Sequence, residues 1–157
     1  MKKDTPARRA KATGKGRDPG FLMLTRNVTE SPEFNALSGN ATKLLIQLAQ
    51  EYRPGKNGNL SCAWGDMSKR GWRSPGTLQD AKRELLDGGW IICTRQGGKN
   101  LCSLFAVTWW PVDECGGIHD YPPERVASNA WRKTKTVVAI RTNLDAIRIN
   151  DDVEKAA

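Results

Sequence analysis

Apolar positions recur along this chain first at helical and then at strand spacing. Leu37, Ala41, Leu44, Leu45, Leu48 and Tyr52 fall at offsets 0, 4, 7, 8, 11 and 15. That is one face of an amphipathic helix, predicted over about Ser38 to Tyr52. Leu78, Ala81, Leu85 and Leu86 form a second stripe. Ser74 stands before it as an N-cap oxygen, and Pro75 takes the first helical position, where a missing N–H costs nothing. Gly88-Gly89 closes it, so a helix is predicted over Pro75–Asp87. Between the two, "WGDMSKR" predicts a short helix ending at Gly71, with Trp64 and Met67 inward. Upstream, "FLMLTRNV" reads as an apolar extended opening, and Ser31-Pro32 as cap and first residue of a short turn through Leu37.

Beyond Gly89 the period drops to two. "WIICTRQ" and "KNLCSLFAVTWW" alternate and are rich in strand formers, and Gly97-Gly98 between them is a two-residue hairpin signal. A turn centred there pairs residues whose numbers sum to 195, so Cys93 faces Cys102 and Ile91 faces Leu104. The 93–102 pair falls at a non-hydrogen-bonded site, where side chains lie closest and a cross-strand disulfide is geometrically open. Two small core thiols are the better reading of the pair. Leu60 to Cys62 has room for one short strand. The order is thus helix, short strand, helix, turn, helix, hairpin, which is the α+β order of a winged helix-turn-helix: a three-helix core plus a β-hairpin wing.

Three segments follow: an arm over 1–20, a domain over 21–112 and a loosely structured, partly disordered C-terminal extension over 113–157. In the last, "TVVAIRTNLDAIRI" fits a strand and a short amphipathic helix equally, and "NDDVEKAA" is expected to fray.

Charge changes the picture. The 157 residues are 38% hydrophobic and 27% charged, as in a globular protein, but carry a net charge of +8. Residues 1–20 hold seven Lys/Arg against two Asp, a surplus of five, with almost no large apolar residue. Such a segment is expected to be disordered when free and to track phosphates. A basic field of this size attracts polyanions, of which nucleic acid is the commonest inside a cell. No apolar run approaches the roughly 20 residues needed to cross a bilayer, and the basic start lacks a signal-peptide core. A cytoplasmic protein with no membrane contact is expected, its four cysteines reduced.

The motif from Gly71 to Ile91, "GWRSPGTLQDAKRELLDGGWI", resembles winged helix-turn-helix DNA-binding proteins of bacterial prophages and plasmids, akin to the DNA-binding domains of phage replication proteins. "LSGNATKLLIQLAQEY", "NGNL", "AVTWWPVDECGG" and "ASNAW" are similar to the same group, so the likeness spans about Phe21 to Trp131. It implies a three-helix domain with a wing and double-stranded DNA as the ligand; a part in transcription regulation or replication of a mobile element is the role expected of the chain. One departure is the turn, where "GWRS" puts Gly71 one place earlier than the "L-G-V-S" of many winged helices, which alters the turn geometry and hence the docking angle.

The candidate site follows from the helical wheel. With Leu78 turned to the core, Gly76, Thr77, Asp80 and Arg83 fall on the far side, and Gln79 on the flank. Gln79 can pair with adenine, Arg83 with guanine, Asp80 with cytosine and Thr77 with a phosphate or thymine methyl, while Gly76 admits close backbone approach. The helix itself holds Lys82 and Arg83 against Asp80, Glu84 and Asp87, a net charge of −1. Phosphate contacts are therefore assigned to Lys69, Arg70, Arg73 and Ser74 around the turn, and to Arg95 and Lys99 on a wing over 94–101.

Two rival readings stand beside this one. The acidic residues of the helix suit a winged-helix module that docks on protein. Trp109, Trp110 and Trp131 offer stacking surfaces for single-stranded nucleic acid or RNA. A homodimer reading paired half-sites is an open possibility for the oligomer. Catalysis has little support, since His119 is the only histidine and "GGKN" lacks the glycine spacing of a phosphate loop. Cys115-x-x-x-His119 has zinc-compatible spacing, but the other cysteines are unpaired in sequence, so no metal, cofactor or small-molecule substrate is expected.

Overall fold

Capping and glycine punctuation set most element boundaries. The computed structural model describes Leu22 and residues 24–132. The arm over 1–20, Phe21, Met23 and everything from 133 onward lie outside the described residues. The opening segment is helical rather than extended at its end, with a single turn, α1 (Arg26–Thr29). Ser31 then caps α2 (Pro32–Asn35), its hydroxyl accepting from the Phe34 N–H at 3.2 Å. Ser38 caps α3 (Gly39–Glu51) by accepting from the Ala41 N–H. The buried stripe of α3 is Ala41, Leu44, Leu45, Leu48 and Ala49. Burying each leucine contributes about 1.5–3 kcal/mol against leaving it in water.

β1 (Leu60–Ser61) leads into α4 (Trp64–Met67), which tightens into a 3₁₀ turn over Ser68–Arg70. Met67 is buried here, but Trp64 is 39% exposed, contrary to its expected inward placement. α5 (Pro75–Asp87) turns Leu78, Ala81 and Leu85 inward and packs against α3. The two helices are also clasped at their surface. Glu84 of α5 accepts from both the backbone N–H and the hydroxyl of Ser38, at 2.7 and 2.6 Å, and so holds the N-terminus of α3.

β2 (Ile91–Arg95) and β3 (Leu104–Val107) complete a three-stranded antiparallel sheet of order β1-β3-β2. All four residues of the central strand are buried. The hairpin differs from expectation. Its turn is Lys99-Asn100, flanked by reciprocal Gly98–Leu101 backbone bonds, with Asn100 at φ 60°. Asparagine tolerates that region, so this pair competes with Gly97-Gly98 for the turn. The pairing sum moves to 198 for Ile91–Val107, Ile92–Ala106 and Cys93–Phe105, with a bulge before Arg95–Leu104. Cys93 therefore opposes Phe105, not Cys102, and both thiols are free. Gly97 is required for a different reason: a Cβ there would meet the Ser103 N and Leu101 O at 2.6 and 2.7 Å.

The segment after Pro111 is not loose over its described part, and bonds cross position 112. Asn57 is buried and spends its side chain on this junction. Its amide donates to the carbonyls of Val107, Trp110 and Pro111, and its Oδ1 accepts from the Val107 N–H. The Asn57 N–H and Asp113 exchange two further bonds, Asn57 N to Asp113 Oδ2 and Asp113 N to Asn57 O. Further on, the Asn129 N–H donates to Thr108 O, and Trp131 is buried in the core, stacked on Trp90 at 4.9 Å and 7°. Residues 113–132 thus return across the domain.

Candidate nucleic-acid interface

The turn between α4 and α5 is held from beneath by α3. Lys43 donates to the Gly71 carbonyl at 2.9 Å, and the Gln47 amide donates to the Arg70 carbonyl at 3.1 Å. The Trp72 indole N–H returns a bond to the Gln47 carbonyl oxygen at 2.7 Å, and the Lys43 ammonium lies 4.9 Å from the Trp72 ring. Gly71, at φ 84°, reverses the chain between these anchors. Lys43 and Gln47 were not among the expected site residues. Their i,i+4 spacing, which sets two long polar side chains side by side on a helix, is the signal that points to them.

From this anchored turn α5 projects outward. Gly76, Thr77 and Gln79 are exposed. Among the described residues no ion pair or side-chain hydrogen bond engages Thr77 or Gln79, so their polar groups face water. Ser74 is exposed as well, but its hydroxyl makes no capping bond to α5, contrary to expectation. The Gly76 and Thr77 amides at the start of α5 are then left to solvent or to an anion.

The cations divide. Lys69 and Arg73 are exposed, and Lys99 sits exposed in the hairpin turn. Arg70 is held by Glu51 at 2.6 Å. Arg95 is turned back into the protein, where its guanidinium donates to the carbonyls of Ile118 at 3.0 Å and Cys102 at 3.2 Å. Thr94, the expected first residue of the wing, is buried and donates to the Gly58 carbonyl. The outward part of the hairpin is therefore shorter than 94–101, beginning at Gln96, and Lys99 is its free cation among the described residues.

Asp80 and Arg83 lie farther along α5, exposed and paired with each other at 3.6 Å. Both border a groove between α2 and the C-terminal half of α5. Lys82 turns the other way, its ammonium 5.8 Å from the Phe105 ring. The tryptophans do not form a stacking platform. Trp109 and Trp131 are buried, and Trp110 is stacked on Tyr52 at 3.9 Å, so none of the three presents an open ring face for a base.

Among the described residues no group of three or more acidic, histidine or cysteine side chains is placed to hold a metal ion. The Cys115 thiol is pushed above its ordinary range, first by burial and then by the Asp113 carboxylate. Cys62 is driven further, to about 12, mainly by burial, which leaves it a neutral core thiol. No described helix is long and apolar enough to cross a membrane. Comparison with protein families, with curated proteins and with solved structures finds no match for this chain.

Proposed function

We propose that this protein is a winged helix-turn-helix that binds double-stranded DNA without catalysing a reaction. The observation that carries this reading is α5. It is rooted on α3 and the sheet through its inner face, while Gly76, Thr77 and Gln79 stand outward and unengaged beside an anchored turn bearing Lys69, Arg70 and Arg73. A helix presented in this way has the apolar inner face and polar outer face that major-groove insertion needs. The element order and the β1-β3-β2 sheet support the same reading, with the Lys99 turn as the wing tip. Base edges fall to Thr77 and Gln79, with Gly76 admitting close approach and Asp80 and Arg83 at the far end of the contact. Phosphates fall to Lys69, Arg73 and Lys99, to Arg70 once it leaves Glu51, to the exposed Ser74 and to the basic arm over 1–20. The role we propose for such a module is transcription regulation or replication of a phage or plasmid, in the cytoplasm.

Titrating salt against duplex binding tests the reading. For about six or more phosphate contacts, affinity should fall roughly 10³-fold or more between 50 and 200 mM salt. A flat response, or no binding to duplexes selected from a random pool, overturns it. The net negative charge of α5 and the groove beside it favour a second reading, a winged helix docking on protein; such a protein would leave duplex DNA unshifted at every salt concentration.

A further inference from the structure

The groove between α2 and the C-terminal half of α5 encloses about 610 Å³. Its lining is apolar at the base, where Ala36, Leu37, Trp90 and Trp131 meet. Its rim is acidic, with Glu33, Asp80, Glu84 and Asp87 against Arg83, and Arg132 lies over the ring of Trp131. The groove ends where the described chain ends, because Trp131 forms part of its wall and Arg132 follows directly. Beyond Arg132 the chain continues for 25 residues, 133–157.

The start of that continuation matches the groove in both respects. Val137, Ile140, Leu144 and Ile147 fall at offsets 0, 3, 7 and 10, which suits one face of a helix. Lys133, Lys135, Arg141 and Arg148 stand against Asp145 over residues 133–149, a net charge of +3. The reach also suffices. Residues 133–136 span up to about 13 Å when extended, and an eleven-residue helix over 137–147 is about 16 Å long. An apolar stripe flanked by cations, tethered at the edge of an apolar groove rimmed by acids, has a high effective concentration there.

We infer that residues 133–149 dock in this groove of their own chain, with Val137, Ile140, Leu144 and Ile147 over Ala36 and Leu37, and their cations against the rim. The inference rests on shape and charge at the groove and stands independently of DNA binding.

Photo-crosslinking tests it in the full chain without DNA. With benzoylphenylalanine at position 144, the expected products are intramolecular crosslinks to residues 32–37 or 83–90, in a yield independent of protein concentration. Asp87→Lys should lower that yield roughly two- to fivefold, the range expected for an exposed ion pair, with far-UV circular dichroism unchanged. Adding Arg141→Glu to Asp87→Lys should restore part of it. Crosslinks between two copies that grow with concentration would assign the groove to a second chain and overturn the inference. Crosslinks elsewhere on the domain, or none, overturn it too.

Discussion

The two halves of α5 are put to opposite uses. From Pro75 to Gln79 only Leu78 is buried, and the other side chains face solvent beside the cationic turn. From Asp80 to Asp87 almost every polar group has a partner within the protein: Asp80 with Arg83, Lys82 over Phe105 and Glu84 on the cap of α3. One helix therefore both fixes the domain and presents a surface, and the division runs along its length as well as around it. A charge count over the whole helix hides this, because the acids are concentrated in the half bound to the protein.

The largest effect that can sharpen the contrast lies beneath the inner half. Trp90, 2% exposed, touches Phe34, Trp109 and Trp131. Trp90→Ala should destabilise by about 3–5 kcal/mol, read as a lower denaturant midpoint at nearly constant m-value. Gln79→Ala, on the outer half, should leave that midpoint within about 0.5 kcal/mol of wild type. Its cost should appear as roughly 1–3 kcal/mol of lost discrimination between a selected duplex and single-base variants. Equal losses of stability from both substitutions would erase the distinction. The smallest effect sits at the border. Asp80 and Arg83 have side chains 75% and 65% exposed at 3.6 Å, so a double-mutant cycle in stability should return a coupling of about 0.2–1 kcal/mol.

What could be read from the sequence, and what could not, follows the range of the interactions. Caps and helix stops act within a turn or two, and the bounds of α3 and α5 fall within one residue of expectation or on it. The exposed face of α5 was legible for the same reason, since a wheel needs only local spacing. The hairpin register was not, because "QGGKN" offers two competent turns, and the observed one also pairs the central strand with β1, some 45 residues earlier in the chain. The inward bonds of Arg95 were not legible because its partners, Ile118 and Cys102, lie 23 and 7 residues on. The return of 113–132 was hidden in a polar, turn-rich stretch whose bonds go to Thr108, Val112 and Asn57, all remote in sequence.

Asn57 also bears on the order in which the molecule assembles. Its side chain spans 50 to 54 residues to Val107, Trp110 and Pro111, so its bonds form only after a long stretch of chain has been brought back. Loop closure of that length is an entropic cost met before any of those bonds contributes. Its bonds should therefore be made after the rate-limiting barrier to folding, and Asn57→Ala should steepen the escape from the native state while barely slowing the return. In stopped-flow kinetics the unfolding limb would rise and the refolding limb hold nearly still. The residue that ties the middle of the chain to the segment after the last strand would then act as a latch on its lifetime and not as a seed for its formation.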